Sequence, residues 1–376
     1  VCYHTNWSQY RPGLGKFKPR NIDASLCSHI IYAFAKMVGN NLKAFEWNDE
    51  STDWMVGLYA EFTSLKKSHP GLKTMLAVGG WNMGSASFTA MVSSSANRQA
   101  FAKSTVQFLR KRNFDGLDLD WEYPANRGSP PQDKSHFTEL VQTLQAAFAA
   151  DAQSSGKPKL ILSAAVAAGK PNIDTAYDVP AISKQLDFIN LMTYDLHGSW
   201  ETFTGHNAPL YPRSDETGDQ KNLNVDWAAN YWVQKGAPKN KLNIGIDLYG
   251  RAFTLKNAAN NKPGDATTGP GQAGQFTREK GFLSYYEICA LQKSGGQVHM
   301  IQEQQVPYIV KGNQWIGYDD PTSIKNKIAY VKDKGFGGIM VWALDLDDFQ
   351  GTCGQGKYPL MQAINQECGS SSTGHQ

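Results

Sequence analysis

FDGLDLDWEYP, residues 114–124, carries its charge where a core segment should have none. Asp118, Asp120 and Glu122 stand two apart, and Leu117, Leu119 and Trp121 fill the positions between. A strand sends successive side chains to opposite faces. Read as a strand, the stretch predicts one apolar face and one face bearing three carboxylates. In a closed barrel the apolar set packs under the helices and the carboxylates point inward. Three carboxylates this close in low dielectric cannot all ionise cheaply, because like charge and desolvation both raise their pKa values. A shared proton follows, and Glu122, outermost on the strand, is placed to pass it to a ligand as a general acid. On the stretch alone, other readings stay open. Asp and Glu clusters bind Mg2+ or Ca2+, the three can form a buried structural network, or the segment is no strand at all.

Similar short β-rich runs recur along the chain. They are VCYHTNW (1–7), SHIIYAFA (28–35), KTMLAVGG (73–80), KLILSAAV (159–166), DFINLMTYD (187–195), KLNIGIDLY (241–249) and GGIMVWALD (337–345). With 116–122 they number eight. Helical periodicity lies between them, as in residues 97–113 and 134–152, where apolar residues recur three and four apart. Strands alternating with helices imply a parallel sheet, and eight units predict a (β/α)8 barrel of TIM type, with its active site at the C-terminal strand ends. One connection breaks the rhythm: about 85 residues separate Tyr249 from Gly337, against about 2–6 for a βα loop. It has its own turns and strand-like runs, so it reads as a small α+β insertion after the seventh strand. The expected organisation is a barrel over 1–249 and 319–367, an insertion domain over 250–318, and a polar tail or linker start over 368–376.

Bulk properties exclude several classes. A formal charge of +3 in 376 residues gives no footprint for nucleic acid or an anionic membrane. No apolar run reaches the roughly 18 residues of a membrane span. The eight histidines show no zinc spacing, and the five cysteines contain no CxxC pair. No cofactor or metal is expected. The chain opens directly in a strand-like run, which fits a mature form or a cytosolic protein. Aromatic residues reach 11%, with ten tryptophans. Trp7, Phe34, Trp81, Tyr194, Tyr249 and Trp342 all fall at C-terminal ends of expected strands. Any single one is ordinary core; together they point to a sugar ligand, because aromatic faces pack against the C–H faces of sugar rings. A phosphate-handling metal enzyme would instead show a Gly-rich loop or basic cluster at these ends.

DGLDLDWE (115–122) resembles the DxxDxDxE signature of glycoside hydrolase family 18. Further blocks follow in order: CYHTNWSQYRPG, LCSHIIYAFA, LAVGGWN, NLMTYDLHGSWE, LYGRAF, VWALDLDDF and KYPL. They cover nearly the whole chain and are close to the animal chitinases, the chitotriosidase and acidic mammalian chitinase group. The resemblance implies hydrolysis of β-1,4-linked N-acetylglucosamine, with retention and without an enzyme nucleophile. It makes Glu122 the acid and later the base. Asp120 holds the substrate's acetamido N–H, exchanging between Asp118 and Glu122, while Tyr194 and Asp195 support the acetamido group. It implies that Trp342 floors the cleavage subsite, and that Tyr3, Trp7, Phe34, Trp47, Trp81 and Asn82 line the non-reducing side and the cleavage subsite. Met192 lines the acetamido pocket, Tyr249, Arg251 and Glu279 lie at the insertion side, and Trp200 extends the reducing side.

The resemblance further implies disulfides Cys2–Cys27 and Cys289–Cys353, hence secretion, with Cys368 left over. The expected partners are chitin and N-acetylglucosamine oligomers, the expected state is a monomer, and the resemblance implies endo action. The sequon Asn6-Trp7-Ser8 is discounted, because it sits at a strand end facing the expected groove. Two departures stand out. IDLYGRAF replaces the commoner MPxYGRSF, which places Asp247 in the seventh strand, and Phe282 falls where some relatives carry Met. If Asp247 faces the barrel interior, it adds a carboxylate near the site; if it faces a helix, it needs a partner. The competing function is a chitinase-like lectin that binds oligomers without cutting them. Retention of Asp118, Asp120, Glu122, Tyr194 and Asp195 favours the enzyme. A metal-dependent hydrolase would lose activity to a chelator, and an endoglycosidase of N-linked glycans would not need the row of groove aromatics.

Overall fold

The computed structural model describes residues 1–369. Eight parallel strands form the barrel: β1 (Cys2–Thr5), β2 (His29–Val38), β3 (Lys73–Gly79), β4 (Gly116–Asp120), β5 (Ile161–Val166), β6 (Phe188–Leu191), β7 (Leu242–Asp247) and β8 (Gly338–Trp342). Helices connect them, among them Ser95–Lys111, Asp133–Ser155, Val179–Gln185, Val225–Lys235 and Pro321–Lys334. This is the (β/α)8 barrel expected from the sequence. β3 and β5 are buried on both faces, which is why they read as near-continuous apolar runs; β4 is also buried throughout yet alternates apolar and acidic residues. Among the described residues no helix is long and apolar enough to cross a membrane.

Contacts divide the chain into two compact units. The first comprises Val1–Asn6, Lys18–Leu191 and Tyr231–Asn243. In it β1 to β6 run side by side in parallel register, with Leu117 of β4 opposite Leu76 and Leu162. Gly79 ends β3 with φ +123°, and a Cβ there would lie 1.9 Å from the Asp120 carbonyl oxygen. Glycine is therefore required for the end of β3 to reach the end of β4. The bond that results, Gly80 N–H to Asp120 C=O at 2.8 Å, fixes the last residue of the acidic strand.

The second unit comprises Trp7–Phe17, Met192–Asn230 and the chain from Ile244 onward. It contains a six-stranded antiparallel sheet in the order Thr267–Pro270, Tyr249–Leu255, Gln314–Gly317, Val306–Lys311, Gln297–Ile301, with Phe282–Ser284 also paired to Tyr249–Leu255. Phe253, Leu255, Ile301, Val306, Tyr308, Val310 and Trp315 form its core. Helix Tyr285–Lys293 opens on a reciprocal capping box between Ser284 and Glu287.

Several strands end earlier than the sequence reading: β1 at Thr5, β4 at Asp120 and β8 at Trp342. Two further ends move site residues. β7 stops at Asp247, and Tyr249 begins the antiparallel sheet rather than ending a barrel strand. β6 stops at Leu191, so Met192, Tyr194 and Asp195 lie beyond it, with Asp195 in the left-handed region at φ +56°. Both disulfides are formed, Cys2–Cys27 and Cys289–Cys353, and Cys368 lies outside them. Residues 370–376, most of the expected tail, lie outside the described residues.

Candidate active site

Alternation in β4 is enforced from behind. Trp121 is fully buried, stacked on Phe88 with centroids 5.0 Å apart and planes 10° from parallel, and edge-on to Phe137. Its indole N–H donates to Ser85 Oγ at 2.9 Å. With Trp121 anchored under helices Ala86–Val92 and Asp133–Ser155, the neighbouring side chains Asp120 and Glu122 are directed to the other face.

That face is a graded column of carboxyl groups. Asp118 has no exposed surface; Tyr3 Oη donates to its Oδ2 at 2.5 Å and Ser163 Oγ to its Oδ1 at 2.7 Å. Burial pushes Asp118 up to about 6, against the hydrogen bonds of Ser163, Tyr3 and Asn190, which favour its charged form. Asp120 is 3% exposed. Burial, then the charges of Glu122 and Asp118, hold it well above the usual carboxylate range. Its Oδ1 has no hydrogen-bond donor among the described residues, while it shares a hydrogen bond with Glu122. Glu122 is partly exposed. The column therefore runs from a buried, hydrogen-bonded Asp118, through Asp120, whose charged form burial and its neighbours disfavour, to an accessible carboxyl at Glu122.

Three supporting residues escaped the sequence reading. Ser163 and Asn190 are the polar members of the otherwise apolar runs ILSAAV and FINL, which is the signal that marks them. Arg127 lies over the Trp81 ring, its guanidinium carbon 3.6 Å from the centroid, and donates to the carbonyls of Trp81 at 2.8 Å and Glu122 at 3.1 Å.

In the second unit a cluster forms around Asp195. Tyr249 Oη donates to Asp195 Oδ1 at 2.6 Å, and Arg251 Nε donates to the same oxygen at 2.9 Å. Tyr194 packs edge-on to Tyr249, with centroids 6.1 Å apart. Tyr249 stacks on Phe282, and the Arg251 guanidinium lies 5.5 Å from the Trp200 ring centre. Trp7 and Trp342 are neighbours, with centroids 6.1 Å apart.

The groove residues separate by exposure. Trp47, Trp81 and Trp7 are 73%, 56% and 38% exposed, Asn82 and Glu279 are exposed, and Phe34, Arg251 and Trp342 are half-buried. Met192 is buried, as is Tyr194. Tyr3, expected along the groove, is 1% exposed and donates to Asp118, and Tyr249, expected at the insertion side, is 2% exposed and donates to Asp195. Asn6 is buried with its amide on the Phe34 carbonyl, which removes it as a glycan acceptor. Among the described residues no group of three His, Cys, Asp or Glu side chains has the arrangement to hold a metal ion.

Comparison with known proteins agrees with this geometry. The model of the glycosyl hydrolases family 18 matches residues 1–347. Mouse chitotriosidase-1 is 51% identical over 368 residues, covering 98% of this chain and 77% of the relative. The structure of an active chitinase from Trichuris suis superposes with a TM-score of 0.93 at 43% identity, covering 98% of both chains. Human YKL-39, described as a pseudo-chitinase with retained chitooligosaccharide binding, superposes with a TM-score of 0.92 at 45% identity over 98% of this chain and 99% of its own. With the DxxDxDxE strand, the barrel and a family match running through every barrel strand, this chain belongs to glycosyl hydrolase family 18.

Proposed function

We propose that this protein is a chitinase that cleaves β-1,4 linkages between N-acetylglucosamine units with retention and with the substrate's own acetamido group as nucleophile. Glu122 gives its proton to the glycosidic oxygen as the bond to the anomeric carbon breaks. The acetamido carbonyl oxygen attacks that carbon, forming an oxazolinium ion. Asp120 accepts a hydrogen bond from the acetamido N–H and stabilises the positive charge. Glu122, now a carboxylate, takes a proton from water as the water opens the ring. Tyr194 and Asp195 support the acetamido group and Met192 lines its pocket. Trp342, Trp81, Trp7, Phe34, Trp47, Asn82, Arg251 and Glu279 hold the sugar units along the groove. Substrate-assisted reaction accounts for the lack of a second enzyme nucleophile.

The observation that carries this reading is Asp120, 3% exposed and with an unpartnered Oδ1, between the buried Asp118 and the accessible Glu122. Burial and its two acidic neighbours disfavour its charged form, as a group that takes up and returns a proton requires. The reading extends to a secreted monomer, in keeping with two disulfides. It treats 250–318 as an insertion domain beside a barrel of 1–249 and 319–367. The second reading, a chitin-oligomer lectin, is favoured by the 45% identity to YKL-39.

The deciding experiment is hydrolysis of a fluorogenic chitobioside or chitotrioside by wild type and Glu122→Gln, with and without EDTA. Activity that survives chelation and vanishes in the variant supports the chitinase. An inactive wild type that binds oligomers establishes the lectin.

A further inference from the structure

Asp247 belongs to a buried chain of polar groups. It has no exposed surface and turns toward helix Pro321–Lys334 rather than toward solvent, so of the two orientations open in the sequence it takes the one that requires a partner. The helix starts at a fixed point: Asp320 and Ser323 cap one another, with Pro321 in the first turn. This register brings Ser323 and Lys327, one turn apart, onto Asp319. Ser323 Oγ donates to Asp319 Oδ1 at 2.7 Å, and Lys327 Nζ donates to Oδ2 at 2.7 Å. Lys327 lies 3.6 Å from Asp247 Oδ1, beyond hydrogen-bond reach. On the other side Asn207 Nδ2 donates to Asp247 Oδ2 at 3.0 Å, and the Asn207 amide oxygen accepts the backbone N–H of Asp195 at 2.7 Å.

We propose that Asp247 is a positioning residue for Asp195: its Oδ2 fixes the Asn207 amide, and that amide holds the Asp195 backbone in its left-handed conformation. Its functional weight rests on the role of Asp195 proposed above.

The protonation state follows from the donors available. Facing Asp247 are Asp319, Lys327, Asn207 and Tyr249, and His206 lies against Asp319 and Lys327. His206 is neutral: its Nδ1 accepts the Ala208 N–H, its Nε2 donates to the Tyr318 carbonyl, and burial lowers it to about 4. Lys327 is bonded to Asp319. Asp247 Oδ1 has no hydrogen-bond partner among the described residues, and Lys327 stands 3.6 Å from it. Burial and the Asp319 charge hold Asp247 well above its usual range, while Lys327 keeps Asp319 low. With the proton on Oδ1, Oδ2 is left as a pure acceptor. That forces Asn207 to present its NH2 to Asp247 and its oxygen to Asp195. A reversed amide would set oxygen against oxygen and NH2 against N–H. Asp195 has a non-glycine φ of +56°, a conformation that needs such a fixed acceptor.

The test compares wild type, Asp247→Asn, Asp247→Leu, Asn207→Leu and the double Asp247→Leu/Asn207→Leu variant. Asn mimics the neutral acid, since its NH2 takes the place of the protonated Oδ1 and its oxygen accepts from Asn207. Asp247→Leu should lower kcat/KM by about tenfold or more, while Asp247→Asn should stay within about threefold of wild type. The double variant should be no worse than the poorer single variant, because both remove the same link. The infrared difference spectrum of wild type minus Asp247→Asn should contain the carbonyl band of a protonated carboxylic acid. Affinity for a chitin tetramer, measured on all five proteins, should follow the same order. If wild type binds the tetramer without cutting, the enzyme reading fails while the affinities still judge the coupling. An Asn variant as impaired as Leu, losses that multiply in the double variant, or absence of the acid band would each overturn the proposal. The Asn variant and the spectrum stand even if the Leu variants do not fold.

Discussion

The hydroxyl of Tyr3, on the first barrel strand, donates to Asp118 Oδ2 at 2.5 Å, on the fourth. The bond favours the charged form of Asp118 against a burial that pushes it up to about 6. Tyr3→Phe removes it, and the pKa of Asp118 should rise further. In the proposed cycle Asp118 must accept from Asp120, so the acidic limb of the kcat profile should move to higher pH. Below about pH 6 the loss in kcat should be on the order of tenfold, in line with one hydrogen bond to a charged group. An unmoved limb in the variant would separate Tyr3 from the proton relay.

Gly79→Ala should damage both stability and rate. The added Cβ meets the Asp120 carbonyl oxygen at 1.9 Å, and φ +123° is strained for any side chain. A cost of more than about 2 kcal/mol is expected in denaturant unfolding, with kcat reduced in whatever protein remains folded.

The stability of the fold should depend on pH through groups of opposite sign. Burial lowers His29 and His206 to about 4, below the ordinary value of 6.5. Between about 4 and 6.5 the unfolded chain binds more protons at these sites, so stability should fall as pH drops through that window. His29→Gln should flatten this slope in thermal unfolding. Asp118 behaves in reverse, because its folded pKa is raised. Its contribution is present below about 3.8 and is lost as pH climbs through about 6. Asp118→Asn should therefore gain on wild type in stability by on the order of 1–3 kcal/mol between pH 4 and 8, while losing activity. If the two midpoints run parallel across that range, the buried charge is not what sets the slope.

Removing Cys289–Cys353 should cost more than removing Cys2–Cys27, because the loops closed span 64 and 25 residues. Chain entropy assigns about 4 and about 3.5 kcal/mol respectively. Paired Cys→Ala variants compared in denaturant would check the order.

The strands were legible because most are largely buried and read as apolar-rich runs. The carboxylate column was legible because alternation is a strict rule, so Asp118, Asp120 and Glu122 had to share a face once 116–122 was read as a strand. What failed was where strands end. DFINLMTYD keeps apolar residues to Met192, yet β6 stops at Leu191, since nothing in hydrophobicity marks the point where the backbone turns toward the left-handed Asp195. Tyr3 and Tyr249 were assigned to the ligand because an aromatic at a strand end looks the same whether its hydroxyl meets a sugar or a buried carboxylate. Asn207 carried no signal at all: it lies in a loop, 40 residues from Asp247, and its role exists only in three dimensions.

Arg127 has a mechanical consequence. One guanidinium backs a face of Trp81 and, through a single nitrogen, also ties the main-chain carbonyls of Trp81 and Glu122 together. The indole is thereby a one-sided plate, with its free face available and its rear braced. The proposed stacking platform and the peptide of the proposed proton donor are thus braced by one and the same side chain.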